Sequence, residues 1–159
     1  MSYLVDGNNV MAQRVGWHKD KSAARRRLMN ELVQFARTRK VSLSVVFDGA
    51  PDDFFPDGSS YKGTKIFYAK QGSNADERIK QIVESSKERR TLIVVTSDRA
   101  LSDYCRRCGA QVLRSGEFRK RLEESMLETN AEQLVREGVK QDELNSWMHY
   151  FGVDESEDE

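Results

Sequence analysis

The sequence contains little histidine, proline or cysteine. Its 159 residues include two of each. Two histidines, His18 and His149, are too few for a histidine-based zinc hydrolase. The chain also lacks the Gly-x-x-x-x-Gly-Lys-Ser/Thr loop of P-loop nucleotidases. A phosphatase of the haloacid dehalogenase type needs a second aspartate two residues after Asp6, and Asn8 stands there. These classes of enzyme therefore fit the sequence less well.

Long hydrophobic runs are missing as well. No apolar stretch approaches the roughly 20 residues that cross a bilayer. Strand-like residues begin at Ser2, which leaves no room for a targeting segment at this end. We therefore expect a cytoplasmic protein without a membrane partner. The length suits one domain with a real core, and the sequence does not indicate an oligomeric state.

The charge is balanced overall but divided unevenly along the chain. Residues 1–127 contain 24 Lys and Arg against 16 Asp and Glu, whereas residues 128–159 contain 2 against 10. The net charges of these parts are therefore +8 and −8. A basic body is compatible with RNA as a partner, although ordinary solvated surface charge also explains it. We predict a domain over 1–127 and a helical acidic extension over 128–159, frayed at "DESEDE".

The two cysteines form a Cys-x-x-Cys pair in "YCRRCGA". Such pairs occur in zinc and redox sites, but zinc would need two more ligands. Redox pairs usually begin a helix, where the thiolate is stabilised, whereas this pair precedes Gly109 and indicates a helix end. We interpret Cys105 and Cys108 as buried structural thiols.

Short apolar runs alternate with longer segments of helical periodicity. Runs such as "LIVV" are typical of strands buried on both faces. The alternation predicts an α/β fold with a mostly parallel sheet. The predicted strands cover 2–5, 41–47, 64–69, 91–96 and 110–113. The predicted helices cover 22–39, 74–88, 99–108 and 116–128, with Ser22, Asn74 and Ser115 as N-caps, and a further helical segment reaches about residue 150.

The connection 48–63 interrupts this alternation. It contains both prolines and exposes Phe54 and Phe55 in a polar setting. A loop of this length is often a lid or a binding loop, and a disordered insertion is the other interpretation. The direction of strand 64–69 stays open, because a hairpin would make it antiparallel.

Acidic residues stand where the predicted strands end. In a doubly wound sheet, ligands gather at this carboxyl edge. Each acid alone has an ordinary explanation as a turn residue, a helix cap or a helix-start charge. Together they repel one another unless a cation neutralises them, and the hard ions Mg²⁺ and Mn²⁺ suit oxygen ligands. The acids are Asp6, Asp48, Asp76, Glu77, Asp98 and Asp103.

Three stretches give this pattern a specific resemblance. "YLVDGNNV", "SNADERI" and "VVTSDRAL", in this order, resemble the NYN branch of the PIN-like nucleases, most closely its YacP-type bacterial ribonucleases, over residues 2–125. The resemblance implies a Rossmann-like three-layer α/β/α fold with strand order 3-2-1-4-5. It also implies Mg²⁺ or Mn²⁺ held by Asp6, Asp76 and Asp98, with Asn8 as a catalytic partner and Asn9 as the alternative amide. Additional candidates are Glu77, Asp48 and Asp103, although Asp103 follows Asp98 by more than a helical turn.

The resulting prediction is a metal-dependent endoribonuclease that cleaves single-stranded RNA with a metal-activated water, with ribosome-associated mRNA as one candidate substrate. The alternatives are a non-catalytic RNA- or ribosome-binding module, and a protein-interaction module that uses the acidic segment. Aromatic residues either stack on unpaired bases or pack in the core; they are Trp17, Phe54, Phe55 and Tyr61. The candidate RNA-binding residues are Arg14, Lys65, Lys70, Arg78 and Arg99.

Overall fold

The computed structural model describes residues 1–136, and the predictions for 137–159 lie outside this range. Six strands and five α-helices alternate along the described chain. The strands are β1 (Ser2–Asp6), β2 (Ser42–Phe47), β3 (Ser60–Tyr61), β4 (Thr64–Tyr68), β5 (Leu92–Val95) and β6 (Gln111–Leu113). The helices are α1 (Gly7–Met11), α2 (Lys21–Arg39), α3 (Ala75–Ser85), α4 (Arg99–Arg107) and α5 (Ser115–Arg136). Two 3₁₀ turns cover Trp17–Lys19 and Arg89–Thr91.

The strands form one sheet in the order β3-β4-β2-β1-β5-β6. The five strands from β4 to β6 in this order run parallel to one another. The edge strand β3 is antiparallel to β4. The five predicted strands therefore have the expected order and a parallel arrangement, which confirms the fold class. The short edge strand β3 was not predicted, and it changes the full order slightly.

Helices cover both faces of the sheet and enclose two cores. On one face, α2 and α5 pack through Leu32, Phe35 and Phe118. On the other face, α3 and α4 pack through Ile79 and Leu101. The strands are buried between these layers, as their continuous apolar runs indicate. The described chain is therefore a three-layer α/β/α structure.

Hydrogen-bonding side chains determine where the helices begin. Asn74 caps α3 by accepting from the Glu77 N–H at 3.0 Å, as predicted. α2 is capped by Asp20, which accepts from the Ala23 N–H. The prediction of Ser22 as this cap is wrong, because its hydroxyl donates to Asp52 at 2.9 Å. α5 runs without a break across residue 127, and the division into two segments there stays a prediction.

The 48–63 connection is folded against the sheet. Its residue Phe55 is 2% exposed and packs on Tyr61, so the expectation that Phe55 is exposed is wrong. The Tyr68 hydroxyl donates to the Phe55 carbonyl at 2.7 Å, which anchors the loop from beneath. Phe54 is 63% exposed, as predicted.

The two thiols lie at the end of α4. Both are free cysteines, with Cys105 buried and Cys108 half-buried. Burial raises the pKa of Cys105 to about 11, which keeps it protonated and unreactive at neutral pH. Within residues 1–136, no helix combines the length and hydrophobicity needed to span a membrane.

Candidate active site at the carboxyl edge of the sheet

Four aspartates lie at the carboxyl edge of the parallel strands. Asp6 is the last residue of β1, Asp48 directly follows β2, and Asp98 follows β5 after two residues. Asp76 lies in the first turn of α3, which comes after β4. β1 lies between β2 and β5, so Asp6 occupies the centre of this edge. Electrostatic coupling of Asp76 to each of the other three places them in one neighbourhood.

Asp6 is a buried acid, and no basic side chain is among the neighbours that shift its pKa. It is 5% exposed, and burial is the main reason that its pKa rises from 3.8 to about 6. The negative charges of Asp76 and Asp48 raise the pKa further, whereas hydrogen bonds from Thr96 and from the Asn9 backbone oppose the rise. The ionised form of Asp6 is therefore stabilised less than it would be in water.

Asp76 experiences the same repulsion at a more open position. Burial raises its pKa first, and the charges of Asp98 and Asp48 raise it further. Lys80 acts in the opposite direction as the nearby cation. Asp48 fixes the start of this helix, because its Oδ1 accepts from the Ala75 N–H at 2.7 Å. Asp48 thus holds the helix turn that carries Asp76.

Thr96 connects Asp6 to Asp98. Its hydroxyl donates to Asp6 Oδ2 at 3.0 Å and accepts from the Asp98 N–H at 3.2 Å. Asp98 caps α4 by accepting from the Leu101 N–H at 2.8 Å. One oxygen of Asp98 is therefore committed to the helix start. Because Thr96 is fully buried, this connection is sheltered from water.

The two amides after Asp6 reach in different directions. Asn8 Oδ1 accepts from the Asp48 N–H at 3.0 Å. Asn9 Oδ1 accepts from the Ser97 N–H at 2.9 Å and from the hydroxyl of Ser115. The Ser115 N–H in turn donates to Ser97 Oγ at 3.0 Å. Both amides therefore fasten the loops that carry the carboxylates, and the roles assigned to Asn8 and Asn9 stay predictions.

The donor set suits a hard divalent cation. Carboxylate oxygens are the ligands that Mg²⁺ and Mn²⁺ prefer. Burial raises the pKa values of Asp6 and Asp76, and the charges of the neighbouring aspartates raise them further. Within residues 1–136, the second oxygen of Asp48 and that of Asp98 accept no hydrogen bond. Within the same range, no group of three or more acidic, histidine or cysteine side chains is arranged so that it could hold a metal ion. The acids at this edge therefore fit such an ion by the chemistry of their oxygens and not by an assembled ligand geometry.

Two of the additional acidic candidates form ion pairs at the protein surface. Glu77 pairs with Lys80 at 3.4 Å, and both lie on the surface of α3. Asp103 is exposed and pairs with Arg106 at 3.7 Å on α4. Neither is among the acids that raise the pKa of Asp6, although the charge of Glu77 raises the pKa of Asp76. Asp48, the third additional candidate, belongs to the cluster.

The basic candidates divide into four groups. Lys70 and Arg99 are exposed, in the loop before α3 and at the start of α4, beside the carboxylates. Lys65 is exposed near the amino end of β4, away from this edge. Arg78 lies over the Phe67 ring at 5.2 Å. The candidate least suited to RNA is Arg14, because it is engaged with buried Glu31 at 3.1 Å.

The aromatic candidates are mostly committed to packing. Trp17 is half-buried against the core, and Lys21 lies 5.8 Å from its ring. The half-buried Tyr61 donates its hydroxyl to Asn30 at 3.2 Å. With Phe55 also buried, Phe54 is the aromatic candidate that stays exposed.

Sequence reasoning missed three residues that shape this edge. Thr96 stands inside the quoted "VVTSDRAL" and carries a signal, since a polar residue ends a buried apolar run. Ser115 was predicted only as a helix cap. Arg25 donates to the Asp48 carbonyl at 2.7 Å and to the Ala50 carbonyl at 3.2 Å, a contact across 23 residues that no local pattern predicts.

Comparisons with known proteins agree with this architecture. The model of the YacP-like NYN domain matches residues 3–151. The crystal structure of Rae1 (YacP) from Bacillus subtilis has 21% identity and a TM-score of 0.65, covering 96% of this chain and 88% of that chain. A tryptophan-to-leucine mutant of that protein gives 22% identity and a TM-score of 0.66, covering 86% and 82%. These identities support the likeness of fold. No curated protein sequence gives a match.

Proposed function

This chain belongs to the family of YacP-like NYN domains, a nuclease family, and we propose that it is an endoribonuclease that cleaves single-stranded RNA with a divalent metal ion. The observation that supports the proposal is the buried carboxylate of Asp6 beside three further aspartates. Burying acids together is costly, and a fold that needed only stability would gain nothing from it.

In this proposal, different side chains bind the ion and the substrate. Asp6, Asp76 and Asp98 are the proposed ligands of one or two Mg²⁺ or Mn²⁺ ions. Such an ion, when bound, lowers the pKa of a water ligand and offsets charge that develops on the phosphate. Asp48 holds the α3 turn beneath Asp76. Lys70 and Arg99 lie at the rim, where they are placed to contact phosphates of the RNA.

The test measures cleavage of single-stranded RNA with Mn²⁺, with Mg²⁺ and with chelator. Asp98→Asn is the informative variant, because asparagine caps helices as well as aspartate does but binds cations weakly. We expect α4 to stay folded and the cleavage rate to fall more than about 100-fold, beyond the loss typical of residues that only support metal ligands.

Asp103→Asn is the matched control. It makes the same chemical change on the same helix, at an exposed residue paired only with Arg106, and should leave the rate unchanged. Cleavage that persists with chelator and in Asp98→Asn contradicts the metal mechanism. Binding of RNA without cleavage by the unaltered protein favours the alternative, a non-catalytic RNA-binding module. Repeating the assay with ribosome-bound mRNA tests the ribosome as a partner.

A further inference from the structure

A cavity of about 390 Å³ opens beside the candidate active site. Two loops line it, residues 49–51 after β2 and residues 69–73 after β4. The first loop directly follows Asp48, and the second ends three residues before Asp76. The two loops that line the cavity therefore belong to the segments that carry two of the four carboxylates. Its volume falls in the range of roughly 300–1,000 Å³ that ligand pockets occupy.

The first wall of the cavity is held by Arg25. Its guanidinium donates to the carbonyls of Asp48 and Ala50 and lies 5.5 Å from the Phe47 ring and 5.3 Å from the Tyr68 ring. Stacking on two rings fixes the cation in place. This wall therefore stays in position without a ligand.

The second wall is held by the backbone. The Ala69 N–H donates to the Phe47 carbonyl at 3.0 Å, and the Ser73 N–H donates to the Lys70 carbonyl at 2.9 Å. Gly72 has a φ of +80°, which favours glycine inside this turn. Both walls are thus joined to the end of β2, and the cavity is already formed.

The chemistry of the lining differs from that of the neighbouring carboxylates. No acidic residue lines this cavity, and Lys70 is its cation. Ala50, Pro51 and Ala69 give small apolar surfaces, while Gln71 and Ser73 offer donors and acceptors. The side chains of Gln71 and Ser73 are exposed and therefore accessible to a ligand. Small apolar contacts combined with accessible polar groups suit the face and edge of a nucleobase.

We infer that this cavity binds one unstacked nucleobase of the RNA, next to the phosphodiester held at the carboxylates. The inference rests on the proposed function, because it takes single-stranded RNA as the ligand. Gln71 and Ser73 are then the residues that set the base preference, and Lys70 contacts the adjacent phosphate. A paired and stacked base cannot enter, so the cavity also selects single strands.

The first experiment measures binding without cleavage. Full-length protein carrying Asp98→Asn is titrated with 12-nucleotide RNAs in which a single abasic position is moved along the strand. Losing the hydrogen bonds of the base to Gln71 and Ser73 should weaken binding by about tenfold, and we expect this loss at one position only. Adding Ala50→Leu fills the cavity, so intact RNA should bind about tenfold more weakly and the abasic position should no longer matter.

Gln81→Ala is the control, an exposed glutamine on α3 outside the lining. It should bind every RNA like the parent. Double-stranded RNA is the second control, and Ala50→Leu should leave its affinity unchanged. A flat abasic scan, an equal loss for both RNA forms, or no RNA binding overturns the inference.

The second experiment distinguishes this inference from the proposed nuclease. Cleavage of randomised single-stranded RNA by the unaltered protein, and by Gln71→Ala, is mapped by sequencing the new ends. We expect a base preference at one position beside the cut, reduced in Gln71→Ala and retained in Gln81→Ala. If nothing is cut but the abasic scan shows one sensitive position, the nuclease proposal fails and the base pocket stands. If Gln71→Ala and Gln81→Ala show the same base preference, Gln71 does not contribute to the pocket.

Discussion

Two buried acids in this molecule are treated in opposite ways. Glu31 on α2 and Asp6 on β1 are 6% and 5% exposed. Glu31 accepts from Arg119 through both oxygens, at 2.9 and 2.8 Å, and from Arg14 at 3.1 Å. Asp6 receives hydrogen bonds from Thr96 and the Asn9 backbone, and its acidic neighbours add repulsion.

The difference shows what each region is built for. The charge of Glu31 is neutralised by two arginines from different segments, one after α1 and one on α5, so it joins three parts of the helical layer. Within residues 1–136, Asp6 forms no ion pair at the carboxyl edge of the sheet. Stability explains the first arrangement and does not explain the second. A buried acid that is not paired with a basic residue of the described chain is therefore the more informative sign of function.

Removing Glu31 should have the largest effect on stability. Glu31→Ala leaves Arg119 and Arg14 facing each other with their partner gone, and breaking a buried ion pair in this way costs about 3–5 kcal/mol. Urea denaturation measures the free energy of unfolding. The comparison is Arg39→Ala, which removes the exposed pair with Glu128 at 3.7 Å and should cost less than about 1 kcal/mol. Equal losses would mean that Glu31 is not the link we describe.

Neutralising Asp6 should have the opposite sign. The folded-state pKa of Asp6 is raised from 3.8 to about 6, so its ionisation opposes folding. This penalty is absent below pH 3.8 and is fully present once the pH has risen through 6. Asp6→Asn should therefore raise the free energy of unfolding at pH 7.5, without divalent ions, by about 2–3 kcal/mol. This gain in the free energy of unfolding should disappear near pH 3.5. At pH 7.5, Asp6→Asn should also abolish RNA cleavage.

Divalent ions sharpen this second comparison. Mn²⁺ at ten times its Kd should stabilise the unaltered protein by about 1.4 kcal/mol and have a smaller effect on Asp6→Asn. Thermal unfolding with and without chelator measures both. A protein that Asp6→Asn destabilises at pH 7.5 would show that the carboxylate is satisfied in the fold, contrary to our description.

The smallest effects are expected at the amides. Asn9→Ala leaves the Ser97 N–H and the Ser115 hydroxyl without their acceptor, and Asn8→Ala leaves only the Asp48 N–H. We expect the free energy of unfolding to fall by about 1 kcal/mol, and by more for Asn9→Ala than for Asn8→Ala. We also expect kcat/KM to fall about tenfold. Asn30→Ala, which removes only the acceptor of the Tyr61 hydroxyl, is the control. If Asn30→Ala lowers kcat/KM as much as Asn9→Ala does, positioning at the carboxyl edge is not the cause.

The parallel sheet and the acids at its edge could be predicted because both follow from local patterns. Apolar runs such as 91–96 show strands buried on both faces, and parallel strands bring their ends together. The order of the five longer strands followed from the resemblance of three quoted stretches. β3 escaped prediction, since a two-residue strand has no periodicity to detect.

The sequence could not show side-chain contacts between residues that are distant along the chain. Arg14 has the composition of an RNA contact, and only the fold reveals Glu31 beside it. Phe55 stands among prolines and aspartates, yet the Tyr61 ring and the Tyr68 hydroxyl hold it in a buried place. Asn9 contacts Ser115 across 106 residues. Such pairings depend on tertiary structure, which no single stretch of sequence records.

The contact of Asn9 with Ser115 also has a consequence for synthesis of the protein. The carboxyl edge joins Asp6 to Thr96 and Asn9 to Ser115, so most of the chain must be synthesised before this edge can form. Contacts of such high sequence separation form late in folding. A nascent chain therefore contains the first carboxylate before the other strands that complete the edge have been synthesised. The messenger RNA that encodes the protein is translated before the complete edge exists.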